Sequence, residues 1–295
     1  MTGDDTSRAV LDKAARENFP VAPVFLPRAW RQDLMAVYGF ARLVDDIGDG
    51  DLAAGGRHDA VHLGLEPAQA GDRAAMLDAF EADLRRVFDG TPTHPLLLAL
   101  QPTVRRHRLT PGPFLGLIAA NRQDQRVRRY ASYDELLAYC ELSANPVGRL
   151  VLSITGTSTP ERVRRSDAVC TALQIVEHLQ DVAEDLGRDR IYLPAEDMKR
   201  FSVDEDDLAA SSANARVRSL VAFEVERARE LLAEGTPLVG SVRGRLRLLL
   251  AGFVGGGRAA LKAVEGAEYD VLAGAPKATK PVLLREVGST LRREG

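Results

Sequence analysis

The sequence predicts an all-α fold, and three observations lead there. Apolar residues recur at three- and four-residue spacing, as in Met76, Leu77, Phe80, Leu84, Val87 and Phe88, which is the stripe an amphipathic helix turns toward a core. Clear period-two runs rich in β-branched residues, the mark of half-buried strands, are missing. Two acidic clusters, Asp45-Asp46-Ile47-Gly48-Asp49 and Asp181-Val182-Ala183-Glu184-Asp185, each set Asp-x-x-x-Asp inside an otherwise apolar helical segment.

The elements follow in order. Pro27 opens a helix that carries its stripe through residues 28–48, and residues 50–71, rich in Gly, Ala and His, read as a loop. The Met76–Phe88 stripe is the next helix, and further stripes run through residues 133–155, 161–186, 214–234 and 258–272. Gly156 ends one helix, Thr159-Pro160-Glu161 opens the next, and residues 187–194 read as a loop. No linker, repeat or low-complexity run marks a boundary, so residues 1–295 read as one domain with residues 1–8 and 289–295 flexible. A chain this long buries roughly three quarters of its unfolded surface and needs no staple. Cys140 and Cys170 lie among apolar helical residues and read as buried thiols in a reducing compartment.

Composition excludes some functions. A net charge of −3 argues against a nucleic-acid partner, and the basic runs at Arg105-Arg106-His107-Arg108 and residues 122–129 read as solvated faces. The acidic start Met1-Thr2-Gly3-Asp4-Asp5 is no signal peptide, and no apolar stretch is long enough to span a bilayer. These features predict a cytoplasmic protein.

The acidic clusters carry the chemistry. Residues i and i+4 share a helix face, and like charges there repel. Both clusters precede loops, so they sit near helix C-termini, where anions are disfavoured unless cations compensate. Extended backwards, each becomes a polar stripe at i, i+4, i+7 and i+11: Tyr38, Arg42, Asp45 and Asp49 on one helix, and Gln174, Glu177 (or His178), Asp181 and Asp185 on the other. That span is about three turns, which predicts two straight stripes. Were the helices to face each other, the four Asp carboxylates and Glu184 would converge. Oxygen-only ligands suit Mg²⁺, which bridges carboxylates to substrate phosphates, and Arg42 adds a bidentate phosphate donor. A solitary cluster of this kind is ordinarily a solvated acidic face; two with matching stripes favour a metal–diphosphate site. His178 reads as a hydrogen-bonded histidine at its edge rather than a base.

Five segments resemble the squalene/phytoene synthases: ENFPVA (residues 17–22), YGFARLVDDIGD (38–49), YCELSANPVGRLVL (139–152), ALQIVEHLQDVAED (172–185) and RIYLP (190–194). SANPVGRLVL together with ENFPVA is most similar to the bacterial hydroxysqualene synthase branch of hopanoid biosynthesis. The resemblance runs from about residue 10 to about residue 285. It implies an isoprenoid-synthase fold, helices around a central apolar cavity, with Mg²⁺ as cofactor. Asp45, Asp49, Asp181 and Asp185 match the metal-binding carboxylates, Tyr38 and Arg42 match positions near the diphosphate, and Gln174 matches a cavity-facing glutamine. Asn18 and Phe19 match a short element that closes over the site, and Arg190 and Tyr192 belong to a supporting loop.

Three departures qualify the match. Glu177 stands where family members typically have Asn. Gln180 stands where many have Arg, a change expected of the hydroxysqualene branch, and the resemblance places both Glu177 and Gln180 among the substrate-binding residues. Gly255-Gly256-Gly257 occupies a region where condensing members often place Tyr. The implied reaction is presqualene diphosphate plus water to hydroxysqualene and diphosphate, with aromatic faces such as Phe40 and Tyr139 beside the carbocation. The alternatives are head-to-head condensation of farnesyl or geranylgeranyl diphosphate, and a non-catalytic binding or assembly role. A product so apolar further implies transient contact with the inner face of the membrane, through an Arg-rich patch, and handover to a pathway enzyme.

Overall fold

The computed structural model describes residues 22–294, so Asn18, Phe19 and the N-terminal eight residues lie outside the described residues. Fourteen α-helices occur among the described residues, and the one β pairing is an isolated bridge between Arg129 and Ile191. The all-α expectation therefore holds. The chain gathers into two compact units, residues up to 126 with 149–158, and residues 127–148 with 159 onward.

The first unit contains α1 (Arg28–Asp49), α2 (Arg57–His62), α3 (Arg73–Asp89), α4 (Pro95–His107) and α5 (Pro111–Asp124). Its core is aromatic at the centre. Phe40 of α1 stacks on Phe80 at 5.5 Å and meets Phe114 edge-on at 5.1 Å, and all three are fully buried. Asp72 caps α3 by accepting the Ala75 amide at 3.0 Å, and Pro95 and Pro111 sit in the first turns of α4 and α5, where a missing N–H costs nothing. Residues 50–71 are not a plain loop. They hold α2 between two single 3-10 turns, Ala53–Gly56 and Pro67–Gly71, elements too short to leave a periodic signature. The basic runs are largely exposed, as their composition predicts, but several of their side chains are paired. Arg106 and His107 bond the buried Asp33 at 2.7 and 2.8 Å, and Arg122 pairs with Asp78 at 2.5 Å and with Glu81.

The second unit contains α6 (Tyr133–Ser143), the start of α7 (Asn145–Ile154), α8 (Pro160–Gln180), α9 (Val182–Gly187), α10 (Ala195–Arg200), α11 (Glu205–Leu208), α12 (Ala215–Gly235), α13 (Gly244–Gly266) and α14 (Lys280–Arg293). The stripe read through residues 133–155 breaks at Ala144, between α6 and α7. Thr159 caps α8 by accepting the Arg162 amide, and Asn214 caps α12 by accepting from Arg216 and Val217. The stripe read at 258–272 belongs to a helix that starts at Gly244 and stops at Gly266. The triple glycine hid its first half, and packing explains it. A Cβ on Gly255 would lie 2.7 Å from the Val287 backbone nitrogen of α14, and one on Gly257 would lie 2.8 Å from Leu173 of α8. Residues 289–293, expected to be loose, complete α14. Cys140 is buried and its thiol is pushed up to about 12 by burial, whereas Cys170 is only half-buried. Among the described residues no helix is long and apolar enough to cross a membrane.

Candidate active site: two carboxylate pairs

The first pair stands near the end of α1. Asp45 is exposed and Asp49 half-buried, while Asp46 between them turns inward and is 2 % exposed. Arg42, one turn before, donates Nε to Asp46 Oδ1 at 3.0 Å, so the arginine expected to face phosphate is held in place by the buried acid of the same cluster. Tyr38 lies half-buried another turn back.

A residue of another helix orients Asp45. Asn121 of α5 donates its amide to Asp45 Oδ1 at 3.0 Å and to the Leu117 carbonyl at 3.2 Å. The approach requires a glycine on α1, because a Cβ on Gly48 would lie 2.0 Å from Asn121 Oδ1. The helix end is then tied down. Gly50 adopts a left-handed conformation (φ 77°), and Asp51 N–H donates to the Asp46 carbonyl at 2.9 Å. Gln125 Nε2 and Arg73 Nη1 donate to the Gly48 carbonyl at 2.9 and 3.2 Å. Arg73 thus places a cation at a helix C-terminus crowded with acids. Sequence reasoning missed Asn121, Gln125 and Arg73. No local pattern marks them, because each acts on a helix distant in sequence.

The second pair is built differently. The stripe expected to run straight bends at Asp181, whose φ of −105° and ψ of 14° end α8 and start α9. The hydrogen-bond ladder survives the bend, with Asp181 N–H donating to Glu177 O at 3.0 Å and Asp185 N–H to Asp181 O at 2.8 Å. Asp181, Glu184 and Asp185 fall within one turn, where like charges weaken a regular helix. Burial, and then the negative charges of Asp185 and Glu184, hold the Asp181 carboxyl above the usual carboxylate range, with His178 and Lys277 acting the other way.

His178, one of the two residues that share a step of this stripe, lies between Gln174 and Asp185. Gln174 Nε2 lies 3.2 Å from His178 Nε2, and His178 Nδ1 faces Asp185 Oδ2 at 3.7 Å. The imidazole lies flat on Tyr192 (3.7 Å between ring centres, 11° between planes). Tyr192 in turn packs against Tyr130 and Tyr139 at 5.7 and 5.5 Å. The platform is held by backbone bonds, Ile191 N–H to Arg128 O and Ala195 N–H to Tyr130 O, both 2.9 Å, while Arg190 N–H donates to Asp185 O at 2.8 Å. The supporting role expected of Arg190 and Tyr192 thus has a geometry. Glu177 lies on the exposed side of α8. Gln180 donates its amide to the Pro276 carbonyl, so this predicted substrate contact is engaged with the segment before α14. Tyr139 belongs to the aromatic platform, whereas Phe40 is core.

Among the described residues, no three His, Cys, Asp or Glu side chains gather into a ready-made metal cage. Mg²⁺ does not require one, since it is usually held by one or two carboxylates together with water and substrate phosphates. Each pair offers two carboxylates of that kind. A cation would relieve the like-charge crowding at Asp181, so the residues present fit the metal.

A family model described as squalene/phytoene synthase matches residues 12–283. A hydroxysqualene synthase of Zymomonas mobilis is 34% identical over 220 residues, covering 73% of this chain and 68% of the relative. A phytoene synthase of Arthrospira platensis is 32% identical over 227 residues, covering 72% and 68%. Among solved structures, the squalene synthase HpnC from Alicyclobacillus acidocaldarius superposes with a TM-score of 0.77 at 42% identity, covering 90% of this chain and 94% of that one. A dehydrosqualene synthase superposes with a TM-score of 0.82 at 22% identity, a likeness of fold.

Proposed function

The chain belongs to the squalene/phytoene synthase family, and from that premise we propose that it converts presqualene diphosphate and water to hydroxysqualene and diphosphate. The observation that carries the choice within the family is Gln180. The position before Asp181, where the family resemblance leads one to expect Arg in many members, is neutral here and its amide is bonded to Pro276. One positive clamp on diphosphate is absent, which suits an enzyme that handles a single diphosphate rather than two.

Asp45 and Asp49, and Asp181 and Asp185, would hold Mg²⁺, which supplies Lewis acidity to the diphosphate oxygens. Arg42, oriented by Asp46, adds fixed positive charge. The cyclopropylcarbinyl C–O bond breaks with its electron pair leaving on diphosphate. The cation rearranges, a water oxygen bonds to the resulting allylic carbon, and that water gives up one proton. Tyr139, next to His178, supplies an aromatic face of the kind that stabilises cationic carbon. No reductant enters the balance.

A second reading, head-to-head condensation, is favoured by the relatives named phytoene synthase, of which that from Arthrospira platensis is 32% identical. One experiment separates the two. Purified protein with Mg²⁺ is offered presqualene, farnesyl and geranylgeranyl diphosphates separately, in water enriched in oxygen-18, and the products are analysed by gas chromatography and mass spectrometry. The proposal expects an alcohol carrying oxygen-18 from presqualene diphosphate. Untouched presqualene diphosphate with consumption of either other substrate would replace it with condensation.

A further inference from the structure

The α13–α14 hairpin has a charge pattern that the carboxylate site does not use. α13 and α14 run antiparallel. Lys262 bonds Glu286 at 2.6 Å, Arg258 bonds Thr290 at 2.8 Å, and Arg247 donates to the Leu291 carbonyl at 2.7 Å. This register brings the N-terminus of α13 beside the C-terminus of α14 and gathers Arg243, Arg245, Arg247, Arg292 and Arg293 at one end. Among the described residues none of the five forms an ion pair, and four of them are exposed. Glu294 follows α14 and lies beside Gly240. So dense a basic end is unusual on a chain whose net charge is −3.

The outward face of α14 extends the pattern. Its single acid, Glu286, is 7% exposed and pairs inward with Lys262. What remains outside is Lys280, Arg285, Arg292 and Arg293, together with Leu284, which is 72% exposed. On α13, Leu248 stands one turn beyond Arg245 and is 38% exposed. A helix that buries its acid and presents arginines with leucines has the composition of an interfacial helix.

We propose that the outer face of α14 and the basic end of the hairpin dock on an anionic lipid bilayer, with Leu284 and Leu248 entering the headgroup region and the arginines engaging lipid phosphates. Charge complementarity selects this occupant. A second copy would bring five arginines against five. A nucleic acid would use the charges and leave the leucines in water, and the exposed residues of both helices include no aromatic ring for bases to stack on. The assignment stands independently of which prenyl diphosphate the carboxylates handle.

The test is co-sedimentation of the full chain with vesicles of phosphatidylcholine, with and without phosphatidylglycerol, at low and high salt. Binding is expected to the anionic vesicles and to weaken with salt. The combined variant Arg243→Gln, Arg245→Gln, Arg292→Gln, Arg293→Gln should lower the partition coefficient roughly tenfold or more. Leu284→Ser alone should lower it about threefold. Circular dichroism and turnover of detergent-dispersed substrate should be unchanged in both variants. Equal binding by the arginine variant overturns the proposal. So does a Leu284→Ser variant that binds as well as the parent while homopolymeric RNA competes, since the face would then be a general polyanion surface.

Discussion

Asp45 and Asp49 stand on one unbroken helix, whereas the backbone bends at Asp181 before it reaches Asp185. The first pair is fixed from outside its own helix, by Asn121 bonded to Asp45 and by Arg73 and Gln125 bonded to the Gly48 carbonyl. The second is fixed by a ring, His178, lying on Tyr192 and bridging Gln174 toward Asp185. An identical spacing of acids is therefore met by two different solutions to like-charge crowding. The first pair borrows a cation and an amide from neighbouring helices. The second gives up helical regularity and keeps one carboxyl raised above its usual range.

The largest expected effect tests whether the two pairs are equivalent in the reaction. Asp45→Asn and Asp181→Asn should each lower turnover by about a thousandfold, because each removes charge needed to bind metal against the diphosphate. The helical circular dichroism should persist. If one variant keeps more than about a tenth of the activity, the pairs do different work and the shared pattern misleads.

The next tests the outside support of the first pair. Gly48→Ala pushes a methyl into Asn121, and Asn121→Leu removes the amide that Asp45 accepts. Each should weaken Mg²⁺ binding about 10- to 100-fold, as loss of a residue that orients a ligand usually does, visible as a higher metal concentration for half-maximal rate. A third test addresses the ring. His178→Phe preserves the stack on Tyr192 but not the contacts to Gln174 and Asp185, and should cost about tenfold in turnover. No change there would make the imidazole a packing residue.

These contrasts show which parts of the site were legible beforehand. The acids, Arg42 and Gln174 could be read because a spacing of three and four fixes which residues share a helix face. Asn121 could not, since its partner Asp45 is seventy-six positions away and no local pattern reports a contact between helices. The bend at Asp181 was hidden for a related reason. Leu179 and Val182 keep the apolar rhythm through it, so periodicity stays intact while ψ departs. The first half of α13 is separated from the second by a triple glycine, which reads as a helix breaker, although Gly255 and Gly257 are what let α14 and α8 approach. Helix existence followed from chain-local physics, whereas boundaries and supporting contacts depended on neighbours that the sequence places far away.

A smaller effect follows from the raised Asp181 carboxyl. A group whose folded pKa lies above its unfolded value stabilises the fold at low pH and loses that contribution as pH rises through the folded value. Without metal, this residue should make the protein slightly less stable at neutral pH than in acid. Mg²⁺ favours the ionised form, so its stabilisation should grow over the same interval. Differential scanning calorimetry with Mg²⁺ and with a chelator should show a gap of about 3 °C at neutral pH that narrows in acid. Asp181→Asn should abolish the pH dependence of the gap contributed by this pair.

The smallest effect belongs to Glu177. Its side chain lies on the exposed side of α8, while its carbonyl accepts the Asp181 amide. The exposure of this side chain leads us to expect that Glu177→Asn changes turnover less than about twofold, the usual range for a surface change. The comparison with His178 gives this small number its meaning. The two residues are neighbours in sequence, about 100° apart around the helix, and either could have occupied the same step of the stripe. If Glu177→Asn lowers turnover tenfold while His178→Phe leaves it alone, the working face of α8 is rotated by one residue from the one described. Gln174 and Asp185 would then owe their alignment to Glu177, and the aromatic platform would serve only to close the fold.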